Sequence, residues 1–150
     1  MSRQDCLECV VLGTPILVPT RDLDRVTEYA LTAPPPLCAP WVGGLGLVDG
    51  ALWISLALAG EPRGPLPGCK GVLLLTPDRA HRYVVQVESV GAIASVEPGL
   101  GILGPIPWPA PVAWFTATVH QGSDVLRLDT DALAAALFPA AGATSIRGAA

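Results

Sequence analysis

The residues with the clearest potential for chemistry in this 150-residue chain are its cysteines and histidines. Cys6 and Cys9 form a Cys-x-x-Cys pair, a spacing found in zinc sites and in thiol redox centres. The sequence contains no second pair of this kind, and neither His81 nor His120 has a metal-type partner at short spacing. Residues 6–11 also have the pattern of a strand, in which side chains three positions apart point to opposite faces. We therefore expect free cysteines that pack as small hydrophobic residues, and no metal site.

Catalytic use of the histidines would require a nucleophile or a carboxylate nearby. The sequence supplies only Asp78 near His81 and Asp124 near His120, so both histidines are interpreted as solvated side chains beside turns. It contains no glycine-rich phosphate loop, no Gly-x-Ser-x-Gly motif and no His-Glu-x-x-His motif. The residues therefore predict no catalytic site and no cofactor.

The composition is that of a globular protein. Hydrophobic residues make up 51% of the chain and charged residues 15%, which excludes intrinsic disorder. The net charge is −4 and basic residues form no cluster, so nucleic acid and anionic membranes are disfavoured as partners. The apolar stretch 42–60 is long enough to suggest a membrane span, but Asp49 lies at its centre, where a charge makes insertion costly. With no apolar signal segment at the N-terminus, we expect a cytoplasmic protein.

Glycine and proline, sixteen of each, divide the chain into short elements and favour a mostly β structure. Asp49-Gly50 is the dipeptide that most strongly favours a two-residue hairpin turn. Two strand-rich halves, each with a hairpin, predict two small barrels or one sandwich. The predicted strands cover residues 6–12, 16–19, 42–48, 51–58, 71–76, 82–87, 88–96, 112–119 and 124–128.

Two helices are predicted beside these strands. Thr20 is a suitable N-cap, and the apolar pair Leu23 and Val26 is spaced for a short helix near residue 22. Residues 129–138 begin with acidic side chains and predict a C-terminal helix. The proline-rich segments 31–40, 61–68 and 97–111 are expected to be loops, and residues 140–150 a flexible tail.

The sequence around the Asp49-Gly50 turn resembles a segment of the CheW-like domain family. That family carries V-x-G-x-x-N-L-R-G-x-x-x-P-x-x-D-L, and residues 42–58 read V-G-G-L-G-L-V-D-G-A-L-W-I-S-L-A-L when aligned on Gly50. Residues 87–91 are similar to the family's V-D-x-V segment, and residues 128–133 to its final L-D-x-x-x-L. The order of the elements agrees as well, so the resemblance covers about residues 6–138.

This resemblance implies a mostly β fold of two intertwined five-stranded SH3-like barrels, forming one domain over residues 1–139 with the loop 61–69 near its midpoint. It also implies a non-catalytic adaptor or scaffold. Such proteins couple the cytoplasmic tip of a chemoreceptor to the regulatory domain of a CheA-type histidine kinase, and other CheW-like proteins are further partners. They bind through exposed sheet surfaces and the groove between the subdomains.

The hairpin over residues 42–58 is the expected interface. The family's Arg falls on Asp49, and a carboxylate only accepts hydrogen bonds where a guanidinium donates them. We therefore hypothesise that the receptor or kinase specificity has changed or been lost. Two other classes stay open, a small thiol-dependent redox enzyme and a self-assembling structural protein. The candidate partner-binding residues are Trp41, Val42, Leu45, Leu47, Asp49 and Trp53.

Overall fold

A computed structural model describes residues 3–32, 38–60, 66–98, 100–101 and 106–139. The predicted tail 140–150 lies outside the described residues, as does most of the predicted loop 61–68. The elements in chain order are β1 (Gln4–Val11), β2 (Thr14–Pro19), β3 (Leu23–Leu31), β4 (Val42–Val48), β5 (Ala51–Leu56), β6 (Leu66–Leu75), β7 (Arg82–Gln86), β8 (Ser89–Val96), β9 (Leu100–Gly101), a 3-10 turn (Val112–Trp114), β10 (Phe115–His120), β11 (Ser123–Leu128) and α1 (Thr130–Leu137).

The strands form a closed barrel and an open sheet. The barrel has the order β3-β4-β5-β7-β6, and all of its strands come from the continuous stretch 23–86. The second sheet has the order β8-β1-β2-β11-β10-β9, and its strands come from both ends of the chain. Its central pair, β2 and β11, is parallel. The predicted mostly β fold with intertwined subdomains is confirmed, although the second subdomain is a six-stranded sheet in place of a closed five-stranded barrel.

The predicted short helix near residue 22 is wrong. Leu23 begins β3, which pairs with β6 from Leu23 opposite Leu74 onwards. Burial near the end of β3 alternates with period two, Tyr29 and Leu31 facing inward and Ala30 facing solvent. Pairing with neighbouring strands and packing of this inner face outweigh the weak local preference of a short amphipathic segment.

Two further boundaries differ from the sequence-based expectation. Residues 112–114 form a 3-10 turn, so the strand predicted from 112 begins at Phe115. The loop expected over residues 61–69 is wrong at its end, because residues 66–69 already belong to β6 and pair with β3.

The predicted turns and the C-terminal helix are present. Asp49 and Gly50 both have positive φ, 50° and 81°, as a two-residue type I′ hairpin turn requires. Gln121 and Gly122 repeat this geometry between β10 and β11. Asp129 caps α1, because its side chain accepts a hydrogen bond from the Ala132 N–H at 3.1 Å.

The largest hydrophobic core lies between the barrel and the sheet and contains residues of both. A second, smaller core fills the barrel and is centred on Tyr29, Trp53 and Leu73. The Tyr29 hydroxyl lies 2.7 Å from Ser55 Oγ, and its ring packs against Gly46 and Gly71, where a Cβ would lie within 3 Å of the ring. Gly46 of β4 and Gly71 of β6 therefore face the barrel interior, where the Tyr29 ring occupies the space.

Candidate partner-binding surface

Three leucines of the β4–β5 hairpin point away from the barrel interior. Leu45 and Leu47 lie two residues apart on β4, and Leu52 of β5 pairs with Leu47. Their exposed fractions are 37%, 47% and 61%. Ala30 of β3 pairs with Leu47 from the other side and is exposed too. This set, Leu45, Leu47 and Leu52, is called the leucine face, and exposed apolar patches of this kind mark interaction sites.

The outward orientation of the leucine face follows from the packing of Tyr29. A strand alternates its side chains between two faces, so the inward positions on β4 include Gly46. A Cβ at Gly46 would lie only 2.7 Å from Cδ2 of the Tyr29 ring, which leaves room for glycine alone. Leu45 and Leu47 on either side of Gly46 must therefore face solvent.

An ion pair lies at the tip of the hairpin, next to the leucine face. The Asp49 carboxylate pairs with the guanidinium of Arg25 from β3, and Arg25 Nε also lies 3.8 Å from Asp24. Asp49 raises the pKa of Arg25, first through the hydrogen bond and then through its charge. The tip of the hairpin therefore carries an acid, Asp49, and a guanidinium reaches it from a neighbouring strand.

The other candidate residues lie away from this surface. Val42 and Trp53 are buried, and the Trp53 ring belongs to the barrel core, with Arg82 4.8 Å from its centroid. Trp41 is half-buried and packs edge-on against Trp114 at 4.7 Å. Of the six candidates, the structure brings Leu45, Leu47 and Asp49 together on one surface. The side chains of Val42 and Trp53 point inward, so they support the hairpin without presenting a side chain to a partner.

A pair of titratable residues that the sequence did not connect lies in the six-stranded sheet. His120 Nε2 is 2.6 Å from Glu8 Oε2, across 112 positions of sequence. The expected solvated histidine is therefore wrong for His120, whose side chain is only 16% exposed. No local spacing could have revealed the pair, because only the folding of the sheet brings β1 and β10 together. His81 is exposed as expected, but it also stacks on Phe138 at 4.5 Å.

The two cysteines of the Cys-x-x-Cys pair face opposite sides of the sheet. Cys6 packs with Leu17 and Val96, whereas Cys9 belongs to the main core. Burial raises the pKa of Cys9 to about 12, and it raises that of Cys6 against the opposing effect of Arg127. Reactive thiols are exposed and have lowered pKa values, so this arrangement argues against redox chemistry at the pair. Within the described part of the chain, no group of three or more His, Cys, Asp or Glu side chains could hold a metal ion.

A closed five-stranded barrel and a second sheet around a shared core, followed by a C-terminal helix, make up a CheW-like fold. The structure is similar to the crystal structure of the scaffolding protein TtCheW from Thermoanaerobacter tengcongensis, with a TM-score of 0.61. The two sequences are 10% identical, and the match covers 85% of this chain and 84% of that one. No protein-family model matches the sequence, and no curated protein does. None of the helices among the described residues is long and apolar enough to cross a membrane.

Proposed function

We propose that the protein is a non-catalytic cytoplasmic adaptor that couples a chemoreceptor-like protein to the regulatory domain of a CheA-type histidine kinase. The observation that carries this proposal is the leucine face, three exposed leucines side by side on a closed barrel. The similarity of the fold to a scaffolding protein supports it. Buried thiols with raised pKa values speak against the alternative of a redox enzyme built on Cys6 and Cys9.

The leucine face is suited to binding because each of its two strands is also hydrogen-bonded to a further strand along its outer edge. β4 pairs with β3 and β5 pairs with β7, so the backbone of the hairpin is part of a closed barrel. A partner that covers the three leucines removes apolar surface from water without first having to order a loop. Such a preorganised surface keeps the entropy cost of binding low, so more of the free energy gained by burial appears as affinity.

The Asp49–Arg25 pair, at the edge of the leucine face, influences which charged groups of a partner can bind there. A partner acid that would bind an unpaired Arg must compete here with Asp49 for the guanidinium of Arg25. A partner that offers a donor to Asp49 gains a hydrogen bond in its place. We therefore propose that partner specificity differs from that of CheW-like proteins that carry Arg at this position.

The test is a binding titration with the purified regulatory domain of the CheA-type kinase and the receptor tip encoded in the same genome. Replacing Leu47 or Leu52 by Lys places a charge in the interface, and we expect each change to weaken binding at least tenfold, about 1.4 kcal/mol. Val119→Lys, on the six-stranded sheet, is the matched control because Val119 is 64% exposed. Unchanged affinity of the Leu47 and Leu52 variants for both partners would contradict the proposal.

A second variant tests the role of the tip. Asp49→Arg removes the partner of Arg25 and places two guanidinium groups side by side. We expect altered selectivity among receptor and kinase partners, and identical binding to every one of them would refute the specificity hypothesis. Light scattering on the free protein separates an adaptor from a self-assembling structural protein, which would form large particles through the leucine face without a partner.

A further inference from the structure

A cavity of about 390 Å³ opens on the six-stranded sheet, which is a different part of the fold from the leucine face. Strands β1, β2, β8 and β11 contribute to its lining, together with the end of β10. Its walls are largely apolar and include Ile16, Val90 and Val125, whereas Glu8 and His120 form its polar centre. The volume lies within the range of sites that hold small molecules.

A β-bulge fixes the Glu8 carboxylate in this cavity. Leu7 pairs with Ile93 and Cys9 with Val90, so Glu8 alone stands opposite two residues of β8, Gly91 and Ala92. The Ala92 N–H donates a hydrogen bond to Glu8 Oε1 at 3.3 Å. A Cβ at Gly91 would lie only 3.3 Å from the same oxygen, so glycine leaves the carboxylate its space. Bulges are frequent beside binding sites, where they direct a side chain.

The second oxygen of Glu8 is held by His120, at 2.6 Å. The bond to His120 lowers the pKa of Glu8 against a partial loss of solvation, and the bond from Ala92 and the electrostatic effect of the nearby imidazole lower it further. Glu8 is therefore ionised at neutral pH, with 31% of its side chain exposed. None of the described residues that line the cavity is a lysine or an arginine. The cavity thus presents a positioned anion between apolar walls.

We propose that this cavity binds a small organic cation, an alkylammonium or guanidinium group on a short apolar stem. Each carboxylate oxygen has two acceptor sites, and the bonds to Ala92 and His120 use one on each oxygen. The remaining sites accept the donors of the cation, and the apolar walls cover its stem. An anion is repelled by Glu8, and an uncharged alcohol offers the carboxylate a single neutral donor where an ammonium offers three donors and a positive charge.

The test uses three probes of four carbon atoms each: n-butylammonium, 1-butanol and butyrate. Binding of each probe is monitored through the backbone amide NMR signals of Gly91 and Ala92. We expect saturable shifts with n-butylammonium and a dissociation constant on the order of 1 mM, as befits so small a ligand. Binding of 1-butanol is expected to be at least tenfold weaker, and butyrate should not bind. Equal responses to the three probes, or no saturable response to n-butylammonium, would overturn the proposal.

The same ammonium group can come from a free amine or from a lysine side chain of another protein. Nα-acetyl-lysine N-methylamide distinguishes these sources, because it carries the group on a peptide unit. If this compound binds as tightly as n-butylammonium, the site is assigned to a protein lysine. If the compound does not bind, the site is assigned to a free amine.

Glu8→Gln removes the charge at nearly constant size, and we expect it to weaken n-butylammonium binding at least tenfold. Glu28→Gln, on β3 of the barrel, removes the same charge elsewhere and should leave binding unchanged. Wild-type affinity in Glu8→Gln would overturn the proposal. The series of three probes is measured on the unmodified protein, so it decides the question even if Glu8→Gln does not fold.

Discussion

The tight packing of Tyr29 makes Gly71 a sensitive position for the stability of the barrel. A Cβ at Gly71 would lie 2.6 Å from Cε1 of the Tyr29 ring and would also clash with a methyl group of Val84. Carbon atoms in contact lie about 3.5 Å apart or more, so the ring would have to move by about 0.9 Å. It has little room to move, because the backbone at Gly46 lies against its other side and its hydroxyl bonds to Ser55.

Gly71→Ala is therefore expected to destabilise the protein. Adding a methyl group to a filled core costs about 1–3 kcal/mol. Alanine also reduces the flexibility of the unfolded chain, which offsets about 0.4–1 kcal/mol of this cost. The net loss in the free energy of unfolding is then roughly 1–2 kcal/mol, and Tm falls by roughly 2–8 °C for a domain of this size.

The measurement is urea and thermal unfolding followed by circular dichroism. Gly68→Ala, in the same strand, is the matched control, because the nearest atom to its added methyl group is Glu28 Oε1 at an ordinary 3.6 Å. We expect this control to be as stable as the wild type or more stable by up to about 1 kcal/mol, because alanine reduces the flexibility of the unfolded chain here too. If Gly71→Ala unfolds at the same urea concentration as Gly68→Ala, the assignment of Tyr29 as the residue that fills the barrel is refuted.

Two further predictions concern buried or paired titratable groups. The pKa of Glu8 is lower in the folded than in the unfolded protein, so its pairing with His120 stabilises the fold above the unfolded pKa of about 4.5. This contribution is lost as the pH falls through the folded pKa. The difference in unfolding free energy between wild type and Glu8→Gln should therefore shrink on acidification, and a constant difference would contradict this prediction. Cys6 and Cys9 are buried with raised pKa values, so iodoacetamide at pH 8 should modify them more slowly than Cys38 in the native protein. Mass spectrometry measures the rates, and fast labelling of Cys9 would disprove this.

Features determined by neighbouring residues could be predicted from the sequence. Asp49-Gly50 was expected to form a hairpin turn and does so, because its positive φ values depend on the two residues themselves. The helix after Asp129 likewise depends on nearby residues, which provide its N-terminal cap and its apolar face. The order of such elements predicted small barrels or a sandwich, and the CheW-like fold was implied by the resemblance of residues 42–58, 87–91 and 128–133 to segments of that family.

Features that depend on distant partners could not be predicted. Leu23 and Val26 have the spacing of a helix, but the strand they form pairs with residues about fifty positions later. Both faces of β4 are apolar or small, so only the packing of Tyr29 shows that Leu47 points outward. Glu8 and His120 carry no common motif, and their contact exists only because β1 and β10 belong to one sheet.

The way the strands are divided between the barrel and the six-stranded sheet has a consequence for synthesis of the protein on the ribosome. The barrel consists of one unbroken stretch, residues 23–86, and can close while the rest of the chain is still being translated. β1 pairs with one edge of β2, but the other edge has no partner strand until β11 has been translated. The nascent chain therefore exposes an open strand edge, which is prone to aggregation, and a chaperone is most useful in the interval before β11 pairs with it.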